Sequence, residues 1–102
     1  MSAKAYLIVE VKVTDPVSYE QYKALAQAAI ARHGGRYLAR GGTLEVLEGE
    51  PPASPRLVVV EFDSVAQAKA FYDSPDYRVA RAARANAAEM KMLVLEGVDN
   101  QP

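Results

Sequence analysis

Ala5-Tyr6-Leu7-Ile8-Val9-Glu10-Val11-Lys12-Val13 reads as a β-strand from end to end. Four of its residues, Ile8, Val9, Val11 and Val13, are β-branched, a shape that packs well on a pleated, half-buried surface. Alternation gives Leu7, Val9, Val11 and Val13 one purely apolar face. Tyr6, Ile8, Glu10 and Lys12 form the other face, which begins apolar and ends charged. Such a strand makes two different contacts. One is a core; the other is a pocket, a partner or water.

Working outward, Thr14-Asp15-Pro16 ends the strand and starts a helix, because Asp15 can cap free backbone N–H groups and Pro16 suits the first helical turn. Helical spacing over Val17 to about His33 sets Tyr19, Tyr22, Leu25, Ala26, Ala29, Ile30 and His33 on one stripe. Gly34-Gly35 stops the helix. Arg36 to Gly41 predicts a second strand, broken or bulged at Gly41-Gly42, with Leu44 to Leu47 as a short continuation. A stiff loop, Glu50-Pro51-Pro52-Ala53-Ser54-Pro55, precedes a third strand over Arg56 to Phe62. That strand is nearly continuous in Leu and Val, so it is expected at the sheet centre, covered on both faces. Ser64 caps a second helix, and Ser74-Pro75 interrupts it and opens another that runs to about Ala88. Met90 to Val98 is the last strand, and residues 99–102 are expected to be a loose tail.

The totals set limits. A chain of 102 residues holds one core, so residues 1–102 form a single domain. The formal net charge of −1 gives no pull toward nucleic acid or an anionic membrane. With no cysteine, disulfides, thiolate catalysis and cysteine-based metal sites are excluded, in keeping with an expected cytoplasmic location. The N-terminus enters a strand without a charged leader and apolar core, so no signal peptide is expected. No apolar run approaches the roughly 20 residues of a membrane span.

The order β-α-β-β-α-β predicts an α+β, ferredoxin-like unit: an antiparallel sheet of order 4-1-3-2 with its helices on one face. Strands one and three are expected side by side and parallel in its middle. Val58, Val60 and Phe62 join Leu7, Val9 and Val11 toward the helices, which leaves Leu57, Val59 and Glu61 beside Tyr6, Ile8 and Glu10 on the open face. Leu93 and Leu95 share one face of the last strand, and Met92 and Val94 the other, with the phase undecided. So much apolar surface calls for cover, and the expected cover is a second copy packed sheet to sheet, a homodimer forming an α/β barrel.

The opening AYLIVEVKVTDP, the helix end HGGRYLARGG, the strand VVVEF and the segment FYDSPDYRVAR together resemble the DUF1330 family of the dimeric α/β-barrel superfamily, over about residues 3 to 98. That family is small, mostly bacterial and without an established activity. Muconolactone isomerases, antibiotic-biosynthesis monooxygenases and haem-binding peroxidase-like proteins share its fold, so the resemblance implies architecture far more than chemistry.

Three residues are candidates for catalysis. Glu10 and Glu61 are placed on one face of the two central strands, near each strand's C-terminal part. Strand spacing of about 4.8 Å would bring the carboxylates close and raise one pKa, giving an acid and a base. Ion pairing inside a dimer interface is the plainer role for them. His33, the single histidine, has the pKa of a general base but also sits where a histidine complements a helix dipole. Arg40 on strand two is placed to neutralise one glutamate or grip an anion. Tyr19, Tyr22, Tyr37, Tyr72 and Tyr77 are expected to line an aromatic-ligand pocket or to pack the core, and Arg81 and Arg84 to meet a carboxylate at a pocket mouth or to lie on a solvated face. No metal site, cofactor site, phosphate loop or serine nucleophile is expected. The functional expectation is a cofactor-independent enzyme, an isomerase or proton-transfer catalyst, acting on a small organic acid or aromatic compound. The alternative is a non-catalytic ligand-binding or stress-related dimer.

Overall fold

The computed structural model describes residues 3–54 and 56–98; the tail expected at 99–102 lies outside them. Strand β1 (Ala5–Val13) leads into helix α1 (Pro16–Arg32), strands β2 (Arg36–Arg40) and β3 (Arg56–Phe62), helices α2 (Val65–Asp73) and α3 (Pro75–Ala83), and strand β4 (Ala88–Glu96). The sheet order is β2-β3-β1-β4, the ferredoxin-like arrangement. The local signals act as read. Asp15 caps α1 by accepting from the Ser18 N–H at 3.3 Å, and Ser74 caps α3 through the Tyr77 N–H at 3.2 Å. Gly34 takes φ +79°, and Gly35 N–H donates back to the Ile30 carbonyl at 2.8 Å, which closes the C-terminus of α1.

Every strand pair is antiparallel, including β1 with β3. The parallel central pair expected from the sequence is therefore wrong, and connectivity explains why. The α1 crossover makes β1 and β2 parallel with one strand between them. The β2–β3 connection then reverses the chain, so β3 must run against β1. The proposed strand continuation over Leu44 to Leu47 is also absent. Those residues belong to an exposed arm without regular structure, with Leu47 98% exposed. Helix α3 ends at Ala83 instead of near Ala88, because the Ala87 carbonyl is recruited by the N–H groups of Thr14 and Asp15 at 2.8 and 3.0 Å. This bond locks the end of β1 to the start of β4.

The core lies between the sheet and the helices. Leu7, Val9 and Val11 from β1 and Val60 and Phe62 from β3 are all buried against it. Helix α1 contributes Tyr19, Tyr22, Ala26, Ala29 and Ile30; α2 and α3 add Phe71, Tyr77 and Ala80. Alanines at the helix contacts let the backbones approach, which leaves the aromatic rings to fill the space. Register settles the phase of β4: Leu93 stands opposite Ile8, and Leu95 opposite Tyr6, so both face away from the helices. They are 53% and 58% exposed.

Candidate functional site

One irregularity in β2 decides where the site lies. Arg36 pairs with Glu61 and Tyr37 with Val60, but Ala39 pairs with Val59 and Arg40 with Val58. Leu38 is thus an extra residue, a β-bulge that shifts the alternation by one. Tyr37 and Arg40 both end up on the helix side. Arg40 had been expected on the open face near the glutamates; it lies on the opposite side of the sheet, and Arg36 takes Glu61 instead.

Tyr37 and Arg40 line a cavity between the sheet and α1, together with Tyr19, Tyr22, Tyr77 and Arg56. Val9, Val58 and Met92 form its sheet wall. Its volume is about 40 Å³, room for water but well short of the ~150 Å³ that holds a benzene ring in a buried apolar cavity. A larger guest requires the long side chains at the mouth to swing outward. Those side chains are Lys23, Arg40 and Arg56, and no carboxylate lines the space with them.

The cations differ in their engagement. Lys23 already pairs with Glu20 at 2.9 Å. Arg40 lies over the Tyr37 ring, 4.5 Å from its centroid, and donates to the neutral Gln27 side chain at 3.0 Å. Arg56 sits 5.8 Å from the Tyr19 ring centroid, and its buried Nε has no hydrogen-bond partner among the described residues. Gly41, at φ +69°, makes room for it: a Cβ there would come within 3.3 Å of the Arg56 Cζ. Neither arginine has a carboxylate partner among the described residues.

At the inner end the Tyr22 and Tyr77 hydroxyls are hydrogen-bonded at 2.8 Å. Tyr77 also lies 3.9 Å from the Met92 sulfur, a weak acceptor. Burial pushes the Tyr22 pKa far above its ordinary value, and the adjoining Tyr77 adds to the effect. Burial raises Tyr19 and Tyr37 too, with the charges of Arg56 and Arg40 opposing. These phenols stay protonated at neutral pH. They are donors and not bases.

The remaining candidates do not join this site. Glu10 stands opposite Leu57, and Glu61 opposite Tyr6. The two carboxylates share the open face but are four strand positions apart, about 13 Å. The expected acid–base pair fails because β1 and β3 are antiparallel. Arg36 holds Glu61 as an ion pair and keeps its pKa below the ordinary carboxylate value; Glu10 lies 3.9 Å from the Lys91 ammonium. His33 caps the end of α1, with its Nε2 3.7 Å from Asp76 and its ring edge-on to Phe71. Tyr72 and Arg81 stack on each other, the guanidinium 4.4 Å from the ring centroid, and Tyr72 lines an outer groove between α2 and β4.

Tyr22, Tyr37 and Arg40 are therefore brought together, while Glu10, Glu61, His33, Tyr72 and Arg81 are not. Tyr19 and Tyr77, which the sequence places among the tyrosines expected to line a pocket, join Tyr22, Tyr37 and Arg40; Arg56 was missing from the expected site. Arg56 was findable, since it shares the alternation of Val58 and Val60. Among the described residues, no group of three or more His, Cys, Asp or Glu could hold a metal ion, and no helix is long and apolar enough to cross a membrane.

The fold has known relatives in structure. A protein of unknown function from Rhodopseudomonas palustris superposes with a TM-score of 0.76 at 18% identity, covering 100% of this chain and 86% of that one. The cofactor-independent oxygenase SnoaB from Streptomyces nogalater gives 0.66 at 14% identity, with 99% of each chain covered. A dimeric ferredoxin-like protein of unknown function from Bacteroides fragilis gives 0.61 at 18% identity, over 91% of this chain and 95% of that one. At such identities the likeness establishes the fold alone. No curated protein matches the chain. Residues 4–98 match the family described as a domain of unknown function, DUF1330, and to that family the chain belongs.

Proposed function

We propose that this protein is a cytoplasmic homodimer that binds a small organic acid or aromatic compound as its anion in the sheet–helix cavity of each protomer, and acts on it without a cofactor. The observation that carries the reading is the mouth of that cavity. Arg40 and Arg56, without carboxylate partners among the described residues, stand over a space walled by tyrosines. A guest anion supplies the partner these cations lack, and the rings give it flat apolar contact.

The chemistry that suits this cavity is stabilisation of negative charge, not proton abstraction by a carboxylate. Arginine and neutral phenol donors favour the enolate or phenolate of an acidic guest in a place sheltered from water. Once the guest has lost its proton to water at the open mouth, the anion can take a proton back at another atom, an isomerisation, or can react directly with dioxygen, as the likeness to SnoaB suggests. The second copy is proposed to cover the open face, where Ile8, Leu93 and Leu95 lie beside the Arg36–Glu61 pair. Two structural relatives described as dimeric support that arrangement.

A non-catalytic binding role is the second reading, and one observation favours it: no carboxylate or histidine lines the cavity. A thermal-shift screen of small carboxylates and phenols, followed by NMR and dissolved-oxygen monitoring of each hit, separates the cases. A stabilising compound that is converted or consumes oxygen supports the enzyme. A stabilising compound left unchanged supports the binder. No shift with any compound rejects the cavity as a ligand site.

A further inference from the structure

The cavity has two chemically different ends, and this asymmetry carries an inference about the guest. At the mouth, Arg40 and Arg56 present planar guanidinium groups, each beside a tyrosine ring, Tyr37 and Tyr19 respectively. The Arg56 Nε is buried and unpartnered among the described residues. Such groups match a carboxylate, whose two oxygens accept paired N–H donors. At the inner end stand the Tyr22 and Tyr77 hydroxyls, 2.8 Å apart, with Met92 beyond them. One hydroxyl hydrogen of the pair is spent on the other oxygen. The second has only a thioether sulfur to meet, a poor acceptor. Between the ends the walls are aromatic and aliphatic.

We infer that the guest is a hydroxylated aromatic carboxylate bound lengthwise, its carboxylate between Arg40 and Arg56 and its phenolic oxygen at the Tyr22–Tyr77 pair. The inference rests on the cavity as the binding site. The inner end is suited to an oxygen because a phenol or phenolate accepts the hydrogen now aimed at sulfur. An unsubstituted ring leaves that hydrogen where it is and gains nothing there. A guest without a carboxylate leaves the two guanidinium groups without an anionic partner.

Titration calorimetry with four probes tests this: 4-hydroxybenzoate, 4-hydroxyphenylacetate, benzoate and phenol. At least one hydroxy acid is expected to bind roughly tenfold or more tightly than both benzoate and phenol, the gain usual for a hydrogen bond to a charged or buried group. In Tyr22→Phe/Tyr77→Phe the advantage over benzoate should vanish while the advantage over phenol persists. In Arg40→Gln/Arg56→Gln the pattern should reverse. Equal affinity of the wild-type protein for all the aromatic probes overturns the lengthwise placement yet leaves the cavity as a binding site. Loss of both advantages together in either variant also overturns it. No binding of any probe rejects both. The wild-type comparison needs no variant to fold, and circular dichroism of the variants shows whether their loss is local.

Discussion

The Tyr22 and Tyr77 hydroxyls, 55 positions apart in the chain, meet at 2.8 Å inside the core. Their contact joins α1 to α3 over the sheet, at the inner end of the cavity that Arg40 and Arg56 line with four tyrosines. Removing either hydroxyl leaves the other buried without its partner. Tyr22→Phe or Tyr77→Phe should therefore destabilise the fold by about 1–2 kcal/mol in urea denaturation. The double substitution should cost clearly less than the two singles summed, because no orphan remains. Additive losses would show that the hydroxyls act independently.

Gly41 supports the cavity from outside. Its positive φ and the Arg56 guanidinium lying against it both disfavour a side chain. Gly41→Ala should cost about 1 kcal/mol or more of stability and should weaken binding of benzoate by displacing Arg56. Gly42, where a Cβ would meet nothing within 4 Å, is the control, and Gly42→Ala should leave benzoate affinity unchanged.

The Arg36–Glu61 pair gives a pH signature. Arg36 lowers the Glu61 pKa from its ordinary 4.5. A depressed carboxylate contributes stability above that ordinary value and loses it as pH falls through the folded-state value. Glu61→Gln should therefore match the wild type in acid, where Glu61 is protonated, and lose the pair's stabilisation near neutrality, which flattens the acid side of the profile; with Arg36 half exposed the loss is small. A wild-type profile retained in Glu61→Gln would assign the acid sensitivity to other carboxylates, such as Asp63, held by Lys4 at 3.0 Å.

Dimerisation through the open face predicts twice the chain mass in light scattering after size exclusion. Ile8→Arg, aimed at the centre of that face opposite Leu93, should yield a folded monomer, because a charge there has no partner to pair with. A wild-type monomer at micromolar concentration would remove the barrel.

Much of this architecture was legible in the sequence. Alternation in β1 separated Leu7, Val9 and Val11 from Tyr6, Ile8 and Glu10 correctly, because one face is buried and the other is not. Caps at Asp15 and Ser74 and the stop at Gly34 follow from local chemistry that needs no tertiary context. The site was harder to read. Whether Glu10 meets Glu61 depends on strand direction and register, which residue pattern alone does not fix. Arg40 changed faces because of one extra residue at Leu38, and nothing about that leucine marks a bulge; the glycines that do mark one follow it. The Tyr22–Tyr77 contact joins two helices across the core, and the sequence names both residues without pairing them.

The central claim is that an anionic aromatic compound enters between the sheet and the helices. Methyl-labelled methionine reads this directly, since Met90 and Met92 both line the cavity and the chain has only three methionines. Titration with 4-hydroxybenzoate should shift the Met92 methyl signal progressively and saturably, with Met90 following, in step with thermal stabilisation. A compound that stabilises the protein while both signals stay fixed would place its site elsewhere and contradict the account.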